Sequence, residues 1–457
     1  MAKLVSTGKS CTVNPLKMSQ PIGGALAFMG VKGCMPVLHG SQGCTSFGLV
    51  LFVRHFRESI PLQTTAMSEV ATVMGGFENV EQAVVNIAKR ANPELIGICS
   101  TGVTEIKGDD LDGFIQLIRA RHPELDHIAL VYVSTPDFKD AFQDGWSKTV
   151  AQMVDQLVAV PAPSSPRDPG RINLLPGSHL TPGDVEVLRD IIEAFGLRVT
   201  ILPDISGSLD GHIPEDFTPT TLGGVALAEV RTMGAAVHTI AVGEQMRAAA
   251  ETLERNTGTA FTLFDRLTGL QPNDALMSLL SQISGRPVPD KFRRQRSQLV
   301  DAMLDAHFSH GAKKIAIGAE PDLLWSLGAF LAEMGCELAA AVTTTASPVL
   351  ERLAIDEVVI GDLEDLEARA KGCDLLITHS HGRQAAERLG LPLLRMGLPI
   401  FDRLGAAHIV TVGYVGSRNL LFDIGNIFIG SIRDPEPDAW RRPEMIPREI
   451  HAAPAAH

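Results

Sequence analysis

Residues 79–102 read NVEQAVVNIAKRANPELIGICSTG, an amphipathic helix followed directly by a short aliphatic strand. In the helical part apolar residues recur at i, i+3 and i+4, which places them on one face. The strand part, LIGICS, is almost wholly apolar, as in parallel strands that helices cover on both sides. The same pattern continues in CMPVLHG (34–40), DDLDGFIQLIRARH (109–122) and IALVYVSTPDF (128–138). This alternation predicts an α/β fold with a parallel sheet.

Two further units repeat the pattern along the chain. The second begins at INLLPGSHLTPGDVEVL (172–188) and the third at KKIAIGAEPDLLW (313–325). The stretch PAPSSPRDPG (161–170) is rich in proline and serine, which is typical of a linker and not of a helix or a strand. We therefore expect three doubly wound, Rossmann-like α/β domains with parallel sheets, over residues 1–165, 166–300 and 301–434, and a flexible tail at 435–457.

The composition of the chain narrows the classes of function. The 457 residues are 45% hydrophobic and 5% aromatic, with a formal net charge of −13. An acidic surface does not attract nucleic acid or an anionic membrane, so we expect neither as a partner. The sequence has no apolar run of the roughly 18 residues that a membrane helix needs. The first residues lack the apolar segment of a signal peptide, and we expect a cytoplasmic protein.

Six cysteines are scattered along the chain without any CxxC pair. Cys44, in HGSQGC, follows a predicted strand and begins a predicted helix, where the helix dipole stabilises a thiolate. Gly40 and Gly43 allow close backbone approach, and the Ser41 hydroxyl can donate to a sulfur atom. These features suit an iron–sulfur cluster, but they also suit a buried thiol in a tight turn. The residues alone indicate a multi-domain α/β protein with one candidate cluster ligand, and no catalytic Ser/His/Asp or Cys/His arrangement emerges.

Several motifs resemble the β-type subunits of the nitrogenase component 1 family. They are VNPLKMSQPIGGALAFMG (13–30), CMPVLHGSQGC (34–44), FVRHFRES (52–59), GDDL (108–111) and STPDF (134–138). The similarity extends through the rest of the chain, including LPDISGSLDGH (202–212). Among these motifs, HGSQGC together with RHFRE is highly specific to the family.

The catalytic β subunits of that family hold a bridged eight-iron cluster with three cysteines, and this chain departs from their pattern. Ser19 stands where the first of these cysteines would be, and Gly102 stands where the third would be. Only Cys44 is retained, so the resemblance implies one thiolate in a [4Fe–4S] cluster whose other three ligands belong to a partner. Gly40, Ser41, Gln42 and Gly43 would surround that cluster.

The resemblance further implies a scaffold role in the maturation of the iron–molybdenum cofactor. An α-type subunit would complete an α2β2 heterotetramer and hold the cofactor precursor, and the nitrogenase Fe protein and cofactor-delivery proteins would dock on it. The alternatives are a divergent catalytic nitrogenase β subunit, a subunit of dark protochlorophyllide reductase, or a nucleotide- or sugar-binding protein without a cluster. Cys99, inside a predicted strand, is expected in the core, and Cys34 and Cys11 match no family ligand.

Overall fold

The computed structural model describes residues 1–9, 14–162 and 166–431. Its strands form three separate sheets in which every pairing between named strands is parallel. The strands are β1 (Lys3–Ser6), β2 (Cys34–His39), β3 (Gln63–Thr64), β4 (Leu95–Ser100), β5 (Ala129–Val133), β6 (Asp168–Pro176), β7 (Arg198–Ile201), β8 (Ala236–Val242), β9 (Phe261–Phe264), β10 (Lys314–Ala319), β11 (Glu337–Thr343), β12 (Glu357–Ile360), β13 (Leu375–Thr378) and β14 (Leu393–Arg395).

The helices pack on both faces of these sheets. They are α1 (Gln20–Phe28), α2 (Gln42–Phe56), α3 (Glu69–Met74), α4 (Phe77–Ala91), α5 (Gly102–Lys107), α6 (Leu111–Arg121), α7 (Phe142–Leu157), α8 (Pro182–Ala194), α9 (Leu227–Arg231), α10 (Arg247–Thr257), α11 (Leu270–Ser284), α12 (Asp290–His310), α13 (Pro321–Glu333), α14 (Leu363–Arg369), α15 (Arg383–Leu389) and α16 (Gly413–Ser431). Short 3-10 helices lie at Pro123–Leu125, Met233–Ala235, Glu244–Met246, Pro348–Arg352, Ser380–Gly382 and Ala406–His408.

The strand orders are those of three doubly wound units. They are β3-β2-β4-β5 in the first sheet, β7-β6-β8-β9 in the second and β1-β12-β11-β10-β13-β14 in the third. All six residues of β2 and of β4 are buried, as their aliphatic sequences predict. Helix α4 buries Val80, Val84 and Ile87 on one face, at the helical spacing. The predicted α/β fold class with parallel sheets is confirmed.

Three details of the structure bear on the predicted domain ranges. Strand β1 pairs with β12, so Lys3–Ser6 belong to the third sheet although the predicted first domain covered residues 1–165. Strand β6 begins at Asp168, so the predicted linker 161–170 ends in strand residues. Helix α12 runs across the predicted boundary at residue 300 and packs against α16. The other boundaries stay predictions, and the predicted tail at 435–457 lies outside the described residues.

The topology of the first sheet positions the candidate site. Strands β2 and β4 are neighbours with His39 opposite Ser100, so the turns that follow them lie side by side. The turn after β5 lies at the same edge, beyond β4. Within the part of the chain that the structure describes, no helix is both long and apolar enough to cross a membrane.

Candidate functional site

Cys44 lies where the sequence places it, in the first turn of α2. Strand β2 ends at His39, Ser41 is the N-cap residue of the helix, and Cys44 is its third residue. Ser41, Gln42 and Gly43 are exposed, whereas Cys44 is half-buried. Its thiol therefore lies at an open surface and is held by a rigid element.

The surroundings of the Cys44 sulfur atom suit an anion. The first backbone N–H groups of a helix have no partner within the helix, and the helix dipole is positive at this end. The Ser41 hydroxyl does not cap α2; its Oγ lies 3.7 Å from Cys44 Sγ instead. This donor set fits one thiolate of an iron–sulfur cluster, which hydrogen-bond donors around its sulfur atoms stabilise.

The other four described cysteines are buried and make poor ligands. Burial raises the pKa of the Cys99 and Cys336 thiols to about 12, which keeps them protonated. Cys34 and Cys99 lie in the hydrophobic core, as the sequence predicts for Cys99. Cys373 is buried in the third unit. Cys11 lies outside the described residues, so within them Cys44 is the one thiol that is not fully buried.

Ser19 is the N-cap residue of α1, and its neighbour Gln20 fixes it to a second turn. The Gln20 amide donates to the carbonyl oxygens of Pro136 and Lys139, over 3.0 and 2.7 Å. These carbonyls belong to the turn after β5, and Ser19 is thereby attached to the same edge of the sheet as Gly102.

Gly102 is the first residue of α5 and is buried. A Cβ atom built on it would lie 2.1 Å from Oδ1 of Asp137, which belongs to the turn that Gln20 holds. A cysteine at position 102 therefore requires the Asp137 side chain to move. Sequence reasoning considered STPDF as a turn and a family motif but did not single out Asp137, because its contact with Gly102 joins two distant segments.

The loops that carry Cys44 and Gly102 touch each other. A Cβ atom on Gly40 would lie 2.3 Å from the hydroxyl oxygen of Thr101, which directly precedes Gly102. The Thr101 hydroxyl donates to the His39 carbonyl over 2.9 Å. The structure thus brings Gly40–Cys44 and Gly102 together, and Ser19 joins them through Gln20 and the turn after β5.

Exposed apolar side chains lie on three helices of the first unit, α2, which carries Cys44, and α3 and α5. Helix α3 packs against α5, and Lys107 of α5 donates to the Ala71 carbonyl of α3. Exposed apolar side chains gathered on one part of a fold mark protein interfaces. We call this surface the Cys44 face; its exposed members are Phe47, Val50, Val53, Val70, Val73, Val103 and Ile106.

The RHFRE motif (54–58) ties the first unit to the other two. The Ile400 N–H donates to Nδ1 of His55 over 2.9 Å, and burial lowers the pKa of this imidazole to about 4. The Gly211 N–H donates to the Glu58 carboxylate over 2.6 Å. The motif therefore fixes the end of α2 against loops of the second and third units.

No group of three or more His, Cys, Asp or Glu side chains within residues 1–9, 14–162 and 166–431 is arranged to hold a metal ion. Cys44 is therefore a single candidate ligand, and no other side chains within these ranges complete a metal site around it.

Comparison with known proteins places this fold and site in one family. The family model for nitrogenase component 1 type oxidoreductases matches residues 19–429. A solved chain of nitrogenase Cp1 at pH 6.5 superposes with a TM-score of 0.88 and 29% sequence identity, covering 95% of this chain and 97% of that one. The chain belongs to the nitrogenase component 1 family, which confirms the resemblance seen in its motifs.

Within that family the chain is similar to proteins called NifN. It is 61% identical over 456 residues to the nitrogenase iron-molybdenum cofactor biosynthesis protein NifN of Bradyrhizobium diazoefficiens, covering 98% of this chain and 97% of that protein. It is 51% identical over 459 residues to NifN of Mesorhizobium japonicum, with 99% of both chains covered.

Proposed function

We propose that this chain is the β-type subunit of a scaffold on which the iron–molybdenum cofactor of nitrogenase is matured. The observation that carries the proposal is Cys44, an accessible thiol at a helix N-terminus, with Ser19 and Gly102 at the two other ligand positions of the family. Identity of up to 61% with NifN proteins over nearly the whole chain supports the biosynthetic role.

In this proposal Cys44 supplies one thiolate to a [4Fe–4S] cluster, and a NifE-like α-type partner supplies the other three. The cluster would carry electrons when bound. The residues of this chain hold and orient it: α2 presents the sulfur atom, and Ser41 offers a hydroxyl donor at 3.7 Å. Gly40, Gln42 and Gly43 keep the approach to the sulfur free of large apolar side chains.

The Cys44 face is the proposed contact with the partner. Its exposed aromatic and aliphatic side chains lie on the helix that carries the thiol and on α3 and α5, so the same association would bury them and complete the ligand set. We assign this chain no catalytic residue. The precursor would be held by the partner in a cytoplasmic α2β2 complex, on which the nitrogenase Fe protein and cofactor-delivery proteins would dock.

The first experiment removes the thiol from the purified complex. Cys44→Ala should abolish the [4Fe–4S] signal in the EPR spectrum of the reduced complex and lower its iron content. Cys373→Ala is the matched control, because it removes a buried thiol of the third unit. Unchanged iron and EPR signal in Cys44→Ala would refute the ligand assignment.

A second experiment tests the biosynthetic role. Cell extracts that lack only this chain should regain nitrogen fixation when purified iron–molybdenum cofactor is added. Extracts that stay inactive would indicate a catalytic β subunit, and a pigment defect in the deletion strain would indicate a protochlorophyllide reductase subunit.

A further inference from the structure

His39, the last residue of β2, is fully buried beneath the loop that leads to Cys44. Its Nδ1 lies 2.9 Å from the Thr65 hydroxyl, and its Nε2 lies 3.3 Å from a carboxylate oxygen of Asp109. The Asp109 side chain is only 5% exposed. Both ring nitrogens of a buried imidazole are therefore paired with groups from other segments of the first unit.

The hydrogen-bond partners of the His39 ring determine which ring nitrogen carries the proton. The Gly40 N–H donates to Thr65 Oγ1 over 3.2 Å. Because the Asp109 carboxylate can only accept, a neutral His39 ring donates to it from Nε2 and accepts the Thr65 hydroxyl proton at Nδ1. The ring proton is then on Nε2 and points at Asp109, whose other oxygen lies 3.3 Å from Lys107 Nζ. Burial lowers the pKa of His39, in keeping with a neutral ring.

The same network fixes the backbone next to the Cys44 loop. Thr101 donates to the His39 carbonyl, and the Met67 N–H donates to the Gly40 carbonyl over 2.9 Å. With its own N–H bonded to Thr65, Gly40 has both backbone groups engaged. Ser41 follows directly and occupies the N-cap position of the helix that carries Cys44, so the direction of this helix start depends on how Gly40 is held.

We infer that His39, acting with Thr65 and Asp109, is a positioning residue that sets the location of Cys44 Sγ and Ser41 Oγ toward the cluster. The inference rests on the proposed function, since it concerns the same cluster. It goes beyond the assignment of Cys44 as a ligand, because the retention of the cluster would then also depend on His39, Thr65 and Asp109, which do not bind it. Outer partners that orient metal ligands typically change metal retention by about 10- to 100-fold when they are removed.

Three variants in the intact complex separate hydrogen bonding from bulk. Thr65→Val removes the acceptor of Gly40 and the donor to His39 at nearly constant volume. His39→Leu removes both ring bonds, and His39→Gln retains a donor that can reach Asp109. Thr149→Val is the matched control, because Thr149 is also buried in the first unit and its hydroxyl has no partner in the described structure.

The measurements are the rate of iron removal by a chelator, the EPR spectrum of the reduced complex and the melting temperature. Thr65→Val and His39→Leu should release iron about 10- to 100-fold faster than the wild type and give an altered EPR spectrum. His39→Gln should recover most of the difference, and Thr149→Val should match the wild type in all three measurements.

Wild-type iron release and EPR spectra in Thr65→Val and His39→Leu would overturn the inference. It would also fail if His39→Leu alone lost iron and His39→Gln did not recover it, since the bulk of the ring would then matter. A wild-type complex without a [4Fe–4S] signal would instead refute the proposed function, so the two failures are distinguishable.

Discussion

Asp322, the second residue of α13, is a buried carboxyl group at the junction of the three units. Its side chain has no exposed surface. Oδ2 accepts the backbone N–H and the side-chain amide of Gln245, over 3.0 and 2.9 Å. Oδ1 is buried without a hydrogen-bond partner in the described structure, and the Asp322 N–H donates to the Gln143 amide oxygen. Burial raises the pKa of Asp322 to about 6.

This pKa predicts how stability changes with pH. The ordinary pKa is 3.8, so the folded state binds the Asp322 proton more tightly than the unfolded state does. The contribution of Asp322 to stability is fully present below about pH 4 and is lost as the pH rises through 6. The difference in pKa corresponds to about 3 kcal/mol of unfolding free energy.

Asp322→Asn removes the charge and keeps the shape and an acceptor for Gln245. Relative to the wild type, the variant should gain about 3 kcal/mol of unfolding free energy between pH 4 and pH 8. Urea unfolding followed by tryptophan fluorescence measures this difference, since Trp325 lies in the same helix. Asp301→Asn, an exposed change on α12, is the control. A constant difference between Asp322→Asn and the wild type across this pH range would refute the reasoning.

Three further predictions concern the surroundings of Cys44. Gly102→Cys should lower the unfolding free energy by about 1–2 kcal/mol in urea unfolding, and Asp137→Ala in the same chain should reduce this cost by relieving the contact. Adding Ser19→Cys should not raise the iron content of the complex, because a larger cluster also needs additional ligands from the partner. A gain in iron on elemental analysis would contradict this expectation. Phe47→Glu should weaken binding of the α-type partner by about tenfold or more in titration calorimetry, because Phe47 is 59% exposed on the Cys44 face. Phe308→Glu, 92% exposed on α12, should leave that affinity unchanged, and equal effects of the two changes would refute the proposed contact.

The sequence predicts the fold well wherever local pattern determines it. Strands β2 and β4 are aliphatic runs buried on both faces, and α4 has its apolar residues at helical spacing. Strand β1 has only four residues, and its partner β12 lies more than 350 residues further along the chain. Its place in the third sheet depends on a long-range pairing that no local pattern reveals.

The candidate site likewise has features that the local sequence predicts and contacts that it does not predict. The position of Cys44 in the first turn of α2 follows from a strand, a turn of small residues and a helix in sequence. The contact of Asp137 with Gly102, and the bonds of His39 to Thr65 and Asp109, join segments that are distant along the chain. A single sequence therefore predicts the ligand but not the side chains that surround and orient it.

The geometry around Gly102 explains how the fold can retain its shape with fewer cluster ligands. Ser19 and Cys44 lie at the starts of α1 and α2, and Gly102 begins α5, so each position is fixed by a helix that forms whether or not a cysteine is present. At position 102 the absence of a side chain leaves space that the Asp137 carboxylate occupies. That carboxylate adds negative charge where the catalytic subunits of the family would have a thiolate. Placing a cysteine there must therefore also displace this carboxylate, so the proposed reduction from three ligands to one would involve more than the loss of two sulfur atoms.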